Sequence, residues 1–304
     1  MTLLFFGSTD FSLPILQRLH DEYGVLAVVV SKPKPKGRGL KSSLPEIARW
    51  AESAGMKVCM PEDPNSGSFI SELKALEPDL YVLSAYGHIL SKDVLDIARI
   101  GGINIHPSLL PKYRGAAPIQ RAIMSGEEET GVTIFFMDEK IDHGAVIAQR
   151  CIPIEKDDTF GSLATKLAKL GGDMIVETIH TIESGGYRSV KQEGEVTYAP
   201  KLKKEEMMID WRQEALKVYN HIRALSPYPG ARTRFRDKEL IITLAQLGDK
   251  NLTPGALLVD SRKLYVGAGN GSLVLLELKP EGRKIISALD FVNGYRIQKG
   301  EIVG

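Results

Sequence analysis

Asn104 and His106 stand two residues apart at the end of an apolar run, and Asp142 follows in the loop Glu139-Lys140-Ile141-Asp142-His143-Gly144. Side chains two apart on a strand leave the same face, so an amide and an imidazole there can reach one substrate atom together. An amide donor stabilises a developing oxyanion, while an imidazole and a carboxylate manage protons near neutral pH, so the three together suit acyl transfer. Alone they do not decide the matter. An isolated Asn-x-His pair is commonly structural, and an aspartate shortly before a glycine is common in turns. The next residues, Pro107-Ser108-Leu109-Leu110-Pro111, make a stiff turn leading away from the strand.

These side chains need a scaffold, and the pattern supplies one. Short apolar runs at 3–6, 25–30, 57–60, 80–84 and 101–105 alternate with helical patterns at 9–19, 43–54, 68–76 and 92–97. That alternation predicts an α/β fold with a doubly wound, mostly parallel sheet, whose carboxyl edge is where ligands bind. Two late strands, 133–137 and 146–150, flank the Asp142 loop, and a long helix is expected over 159–184. The pattern changes near Gly185-Gly186, where a polar, lysine-bearing stretch reads as a linker. Beyond it a helix is expected over 211–225, then strands at 238–247, 255–259, 263–267 and 272–279; their spacing alone gives a compact all-β domain, read as a small β-barrel whose specific version is the oligonucleotide-binding (OB-like) type. The expected division is a catalytic domain over 1–187, a linker over 188–206 and a C-terminal β-barrel domain over 207–304.

Several classes drop out. Gly7 stands alone where a dinucleotide-binding turn needs three ordered glycines, and Gly267-Ala268-Gly269-Asn270-Gly271 lies between two strands, where a hairpin explains it. No Walker loop, nucleophile elbow or zinc signature is present, so no metal is expected. Cys59 and Cys151 are isolated and read as core residues of a protein in a reducing compartment. Residues 2–6 read as a buried strand rather than a signal sequence, which places the expected location in the cytoplasm.

Of the 304 residues, 39 are Lys or Arg and 38 Asp or Glu, but they are not spread evenly. Residues 1–187 carry 19 basic and 24 acidic side chains, against 20 and 14 in residues 188–304. A basic C-terminal third points to a polyanionic partner. Lys32, Lys34, Lys36, Arg38 and Lys41 fall in an acid-free stretch interrupted by Pro33 and Pro35, which makes an extended positive arm. Arg232, Arg234, Arg236 and Lys238 recur at every second residue, which on one strand would align all four on a single face. Phosphate contact is a natural use of both groups, and a merely solvated face is the alternative for the second.

At the Asn-His-Asp constellation the chain resembles the folate-dependent formyltransferases. The resemblance rests on Asn104-Ile105-His106-Pro107-Ser108-Leu109-Leu110-Pro111 with Asp142 downstream. It narrows, through Lys112-Tyr113-Arg114-Gly115-Ala116-Ala117-Pro118-Ile119-Gln120-Arg121 and Glu129-Thr130-Gly131-Val132-Thr133-Ile134, to the branch that formylates methionine carried on initiator tRNA. Further similarity lies at Gly37-Arg38-Gly39, Ala85-Tyr86-Gly87, Thr197-Tyr198-Ala199 and Ile209-Asp210-Trp211.

The resemblance implies that Asn104, His106 and Asp142 are catalytic and that 10-formyltetrahydrofolate is the co-substrate. It implies a folate slot formed by Tyr86, Gly87, His88, Ile89 and Leu90, by Ser108, Leu109, Leu110 and Pro111, and by Met137, Asp138 and Ile141. Core packing is the alternative for Ile89 and Leu90. Initiator methionyl-tRNA is the implied partner, met by Lys32, Lys34, Lys36, Arg38, Lys41, Arg232, Arg234 and Arg236, with the chain a monomer. Arg38 matches the arginine at the centre of the family's RNA-approaching loop. Sugar-nucleotide and glycinamide ribonucleotide formyltransferases share the trio and are the alternatives. His143 departs from the Thr or Ser of many relatives and reads as an exposed loop residue.

Overall fold

The computed structural model describes residues 1–32, 44–298 and 300–304. These residues form two compact units. The first comprises Met1–Pro118, Thr130–Ile152 and Ala164–Ala199; the second comprises Ile119–Glu129, Pro153–Leu163 and Pro200–Gly304.

In the first unit β1 (Leu3–Gly7), β2 (Ala27–Val29), β3 (Lys57–Cys59), β4 (Leu80–Ser84) and β5 (Gly101–His106) alternate with α1 (Ser12–Tyr23), α2 (Glu46–Ser53), α3 (Gly67–Ala75) and α4 (Lys92–Leu95). Strands β1 and β4 are fully buried and, apart from Ser84 at the end of β4, carry no strongly polar side chain, as expected of parallel strands covered on both faces. The sheet order is β3-β2-β1-β4-β5-β6-β7, adding β6 (Glu129–Phe136) and β7 (Val146–Pro153). The first five strands are parallel, and β6 runs antiparallel to β5. The order reverses between β1 and β4, the crevice position at which such sheets take ligands.

Helix α5 (Pro118–Ser125), absent from the expected elements, follows the β5 turn, and α6 (Phe160–Glu183) is the long helix expected over 159–184. The stretch expected as a linker begins inside the first unit. Val190 pairs with Val146, and the backbone of Arg114 bonds Thr197 and Ala199. Ladder bonds draw this polar segment into the fold.

The second unit holds α7 (Ala215–Ala224), β8 (Ala231–Phe235), β9 (Lys238–Leu247), β10 (Leu257–Asp260), β11 (Lys263–Ala268), β12 (Gly271–Pro280), β13 (Ile286–Ser287) and α8 (Ala288–Tyr295). Its antiparallel sheet runs β10-β11-β12-β9-β8, with β13 on β12. Trp211, Ile222, Leu225, Ile242, Leu264, Leu273 and Phe291 lie in its buried core. Helix α7 starts later than expected because Arg212 and Gln213 turn back on Asp210, and the backbone N–H of Ala215 is taken by Asn270 Oδ1 at 2.7 Å. The glycine-rich run around Asn270 is therefore a β11–β12 hairpin that also caps a helix. Ser287 caps α8 by accepting from the N–H of Asp290. Among the described residues no helix is long and apolar enough to cross a membrane.

Candidate active site

Strand β5 sets the site. It lies between parallel β4, where Leu83 pairs with Asn104, and antiparallel β6, where Phe135 pairs with Asn104 and Thr133 with His106. The register fixes both side chains at the strand's carboxyl end. His106 is buried and Asn104 half-buried.

The turn after β5 is stiffened from β6. Thr133 Oγ1 donates to the carbonyl of Ser108 at 2.7 Å, and accepts from the Leu110 N–H at 3.1 Å and from Gln149 Nε2 at 2.9 Å. Ser108 Oγ donates to the carbonyl of Lys112 at 2.6 Å. These bonds return the chain to His106, whose Nε2 donates to the carbonyl of Tyr113 at 2.9 Å. A carbonyl only accepts, so Nε2 carries the proton in this contact. Nδ1 is then the nitrogen that takes or releases a proton, and it stands 3.6 Å from Asp142 Oδ2.

Asp142 completes the group. Its Oδ1 accepts from Asn104 Nδ2 at 3.3 Å, and its Oδ2 from the backbone N–H of Gly115 at 2.8 Å. Asp142 sits in the left-handed region at φ 49°, which favours glycine, so its loop needs support from outside. Two glycines allow the close approaches involved. Gly115 lies at φ 122°, where a Cβ would meet the Ala199 carbonyl oxygen at 2.8 Å, and a Cβ on Gly144 would stand 1.7 Å from the Phe136 carbonyl oxygen. Gln192 Nε2 donates to the carbonyls of both Asp142 and Gly144 at 3.0 Å.

The structure thus brings the three expected catalytic residues together. The expected folate-slot residues are less uniform. Tyr86 and Leu90 are buried in the apolar cluster with Phe6 and Tyr81, and burial pushes the Tyr86 phenol up to about 12. Ser108 is fully buried and spends its hydroxyl on the turn. Leu110 and Pro111 are buried, and Leu109 and Met137 half-buried. Gly87 and His88 are exposed, as are Ile89 at 64% and Ile141 at 60%, and both are apolar side chains facing water. The core alternative therefore holds for Leu90 and fails for Ile89. Asp138 accepts from His143 Nδ1 at 2.7 Å and from the Lys140 N–H at 2.9 Å, so exposed His143 has a partner within its own loop.

Sequence reading missed Tyr113, Gly115 and Gln192. The first two act through backbone groups, which carry no residue signature, and Gln192 lay in the stretch expected as linker.

The basic residues are placed differently. Lys34, Lys36, Arg38 and Lys41 fall outside the described residues, and Lys32 lies 3.5 Å from Glu62. The expectation that Arg232, Arg234, Arg236 and Lys238 share one strand face is corrected. Strand β8 ends at Phe235, Arg236 and Asp237 form a turn at φ 48° and 63°, and Lys238 opens the return strand β9. Arg232 pairs with Glu239 at 2.8 Å and Arg236 with Glu301 at 2.7 Å.

Comparison with known proteins places this arrangement. The formyl transferase model matches residues 1–179, and the formyl transferase C-terminal domain model matches residues 201–296. The chain belongs to the formyl transferase family. It is 44% identical to the methionyl-tRNA formyltransferase of Dictyoglomus turgidum, over 99% of this chain and 98% of that protein. Among solved structures, the fold resembles WlaRD, a sugar 3N-formyl transferase, with a TM-score of 0.67 at 19% identity, covering 93% of this chain and 99% of that one. It also resembles methionyl-tRNA formyltransferase from Clostridium thermocellum, with a TM-score of 0.57 at 18% identity, over 82% and 94%. At such identities the likeness speaks for the fold of this formyl transferase and does not choose its substrate.

Proposed function

We infer that the chain transfers a formyl group from 10-formyltetrahydrofolate to the α-amino group of methionine carried on initiator tRNA, the modification that marks a chain for translation initiation. The observation that carries the reading is the 44% identity, end to end, with a methionyl-tRNA formyltransferase, combined with an Asn-His-Asp group converging at the carboxyl end of a central strand.

The geometry supports a specific chemistry. The folate supplies a formyl carbon bonded to nitrogen as the electrophile. Asn104 Nδ2 donates to the formyl oxygen as the amine adds and negative charge gathers there, and one such donor is worth about 3 kcal/mol of barrier. His106 Nδ1 takes a proton from the attacking amine and returns it to the departing folate nitrogen, so the new C–N bond forms and the old one breaks with protons balanced. Asp142 faces Nδ1 at 3.6 Å, and the Tyr113 carbonyl keeps the ring in place. Gly87, Ile89 and Ile141, exposed around this edge, suit the apolar faces of the folate. The tRNA is met by Lys32, Lys34, Lys36, Arg38 and Lys41 and, separately, by residues 207–304, and the chain acts as a cytoplasmic monomer.

The test is direct. Purified protein is incubated with 10-formyltetrahydrofolate and, in separate reactions, methionine-charged initiator tRNA, amino-sugar nucleotides and glycinamide ribonucleotide. Transfer to the tRNA alone is expected. Transfer to a sugar nucleotide or to glycinamide ribonucleotide in its place would overturn the reading.

A further inference from the structure

The catalytic edge depends on a side chain from a distant part of the chain. Asp142 adopts a left-handed backbone conformation that favours glycine. Its side chain is held by Gly115 and Asn104. Its backbone is held by Gln192, fifty residues on, whose Nε2 donates to the carbonyls of Asp142 and Gly144, both at 3.0 Å.

The orientation of that amide is chemically forced. Arg114 is buried, and both its Nε, at 3.1 Å, and its terminal Nη2, at 2.6 Å, point at Gln192 Oε1. A guanidinium only donates, so the amide oxygen must face Arg114 and the NH₂ must face the two carbonyls. Arg114 lies between the two backbone groups that serve the site directly: the Tyr113 carbonyl receives His106, and the Gly115 N–H reaches Asp142. One short turn therefore addresses the imidazole, the carboxylate and, through Gln192, the backbone that carries the carboxylate. The turn itself is fixed by the Arg114 backbone bonds to Thr197 and Ala199, which follow Gln192 in sequence.

We propose that Gln192, with its amide oriented by Arg114, is a positioning residue for formyl transfer: it holds the Asp142 loop so that the carboxylate faces His106 and Asn104. The proposal rests on the formyl-transfer reading above. It assigns work to the segment after α6, namely completing the catalytic edge from behind.

The experiment uses the full chain. Gln192→Glu keeps an acceptor for Arg114 but replaces the NH₂ that serves the two carbonyls with an oxygen that cannot donate. Gln192→Ala removes both ends. Single-turnover transfer to charged initiator tRNA at saturating enzyme is expected to slow about 10-fold or more in both variants, with tRNA affinity changed less than about threefold, since the loss falls on transition-state geometry. Because Gln192 acts through Asp142, Gln192→Glu introduced into Asp142→Ala is expected to slow transfer less than about twofold further. Full additivity, or a wild-type rate in Gln192→Glu, would overturn the proposal.

A second readout does not depend on activity. The Gly115 amide proton, donated to Asp142, is expected to exchange with solvent about 10-fold faster in Gln192→Glu than in wild type by NMR, while protection in β1 and β4 stays unchanged. Unchanged Gly115 protection would sink the proposal, as would loss of protection in β1 and β4 together with it in both variants, which would mean global loosening. If the wild-type chain fails to formylate charged tRNA, the functional reading fails, and this exchange measurement still decides the role of Gln192.

Discussion

The carboxyl end of β5 and the basic hairpin of β8 and β9 were read from the sequence by the same rule, and the structure treats them oppositely. In both, side chains two apart were expected to share a face. Asn104 and His106 lie inside one uninterrupted strand, Gly101–His106, and meet Asp142 as expected. Arg232 and Arg234 lie in β8, but the series breaks at Arg236 and Asp237, which turn the chain. A period of two holds only while the strand holds, and nothing in Arg-x-Arg-x-Arg announces where it stops. The two regions also differ in how they are held. The Asp142 carboxylate has donors aimed at it from two sides, whereas two of the three hairpin arginines are engaged with Glu239 and Glu301.

The largest effect expected from this contrast lies at the carboxyl end of β5. Asn104→Ala, His106→Ala and Asp142→Ala should each lower the transfer rate by about 100-fold or more, with far-ultraviolet circular dichroism and tRNA binding intact, since each group acts as charge develops. A near-normal rate in His106→Ala would remove the imidazole from the mechanism.

Gly115→Ala should come next. It forces a side chain into φ 122° and towards the Ala199 carbonyl oxygen, with a cost of about 1–3 kcal/mol for the strained backbone. Denaturant titration should show that loss of stability, and transfer should slow because the Gly115 N–H moves off Asp142.

At the hairpin, effects on tRNA affinity should be smaller and unequal. Arg234→Ala is expected to weaken binding modestly and to reduce the slope of log affinity against log salt by about one unit. Arg232→Ala and Arg236→Ala should do less, because releasing Glu239 or Glu301 is the main consequence. Equal losses for all three would mean that the ion pairs open on binding and that the hairpin acts as one basic face after all.

The smallest effect concerns pH and the second unit. Burial holds the His221 imidazole below its ordinary range, against the opposing pull of the Met207 carbonyl and Glu206. The unfolded chain therefore binds this proton more readily than the folded one. The His221 contribution to stability is complete above the ordinary imidazole pKa of about 6.5 and is lost as pH falls below it. The urea midpoint should drop between pH 7.5 and pH 5, and His221→Gln should show a smaller drop. An identical pH dependence in the variant would clear His221 of any part in acid sensitivity.

The sequence by itself determined the elements whose reasons are local. The apolar runs of β1 and β4 read at once as covered parallel strands, and the long helical period of α6 was legible within a residue at each end. The side-by-side placement of Asn104 and His106 was equally legible, because strand geometry alone fixes it. Helix α8 was missed although its signal was present, since Ser287 and Asp290 form a capping pair three residues apart.

Only the tertiary structure decided the rest. The partners of His106 and Asp142 are a carbonyl, a backbone N–H and a glutamine fifty residues beyond the aspartate. Every residue has a backbone N–H or carbonyl to offer, so composition cannot show which ones are used. The polar stretch around Gln192 read as a linker because it has no apolar period, yet its hydrogen bonds to the β6–β7 loop give it a fixed place. Hydrophobic patterning announces what is buried for its own sake; polar groups that complete a site become visible only once the chain has folded around them.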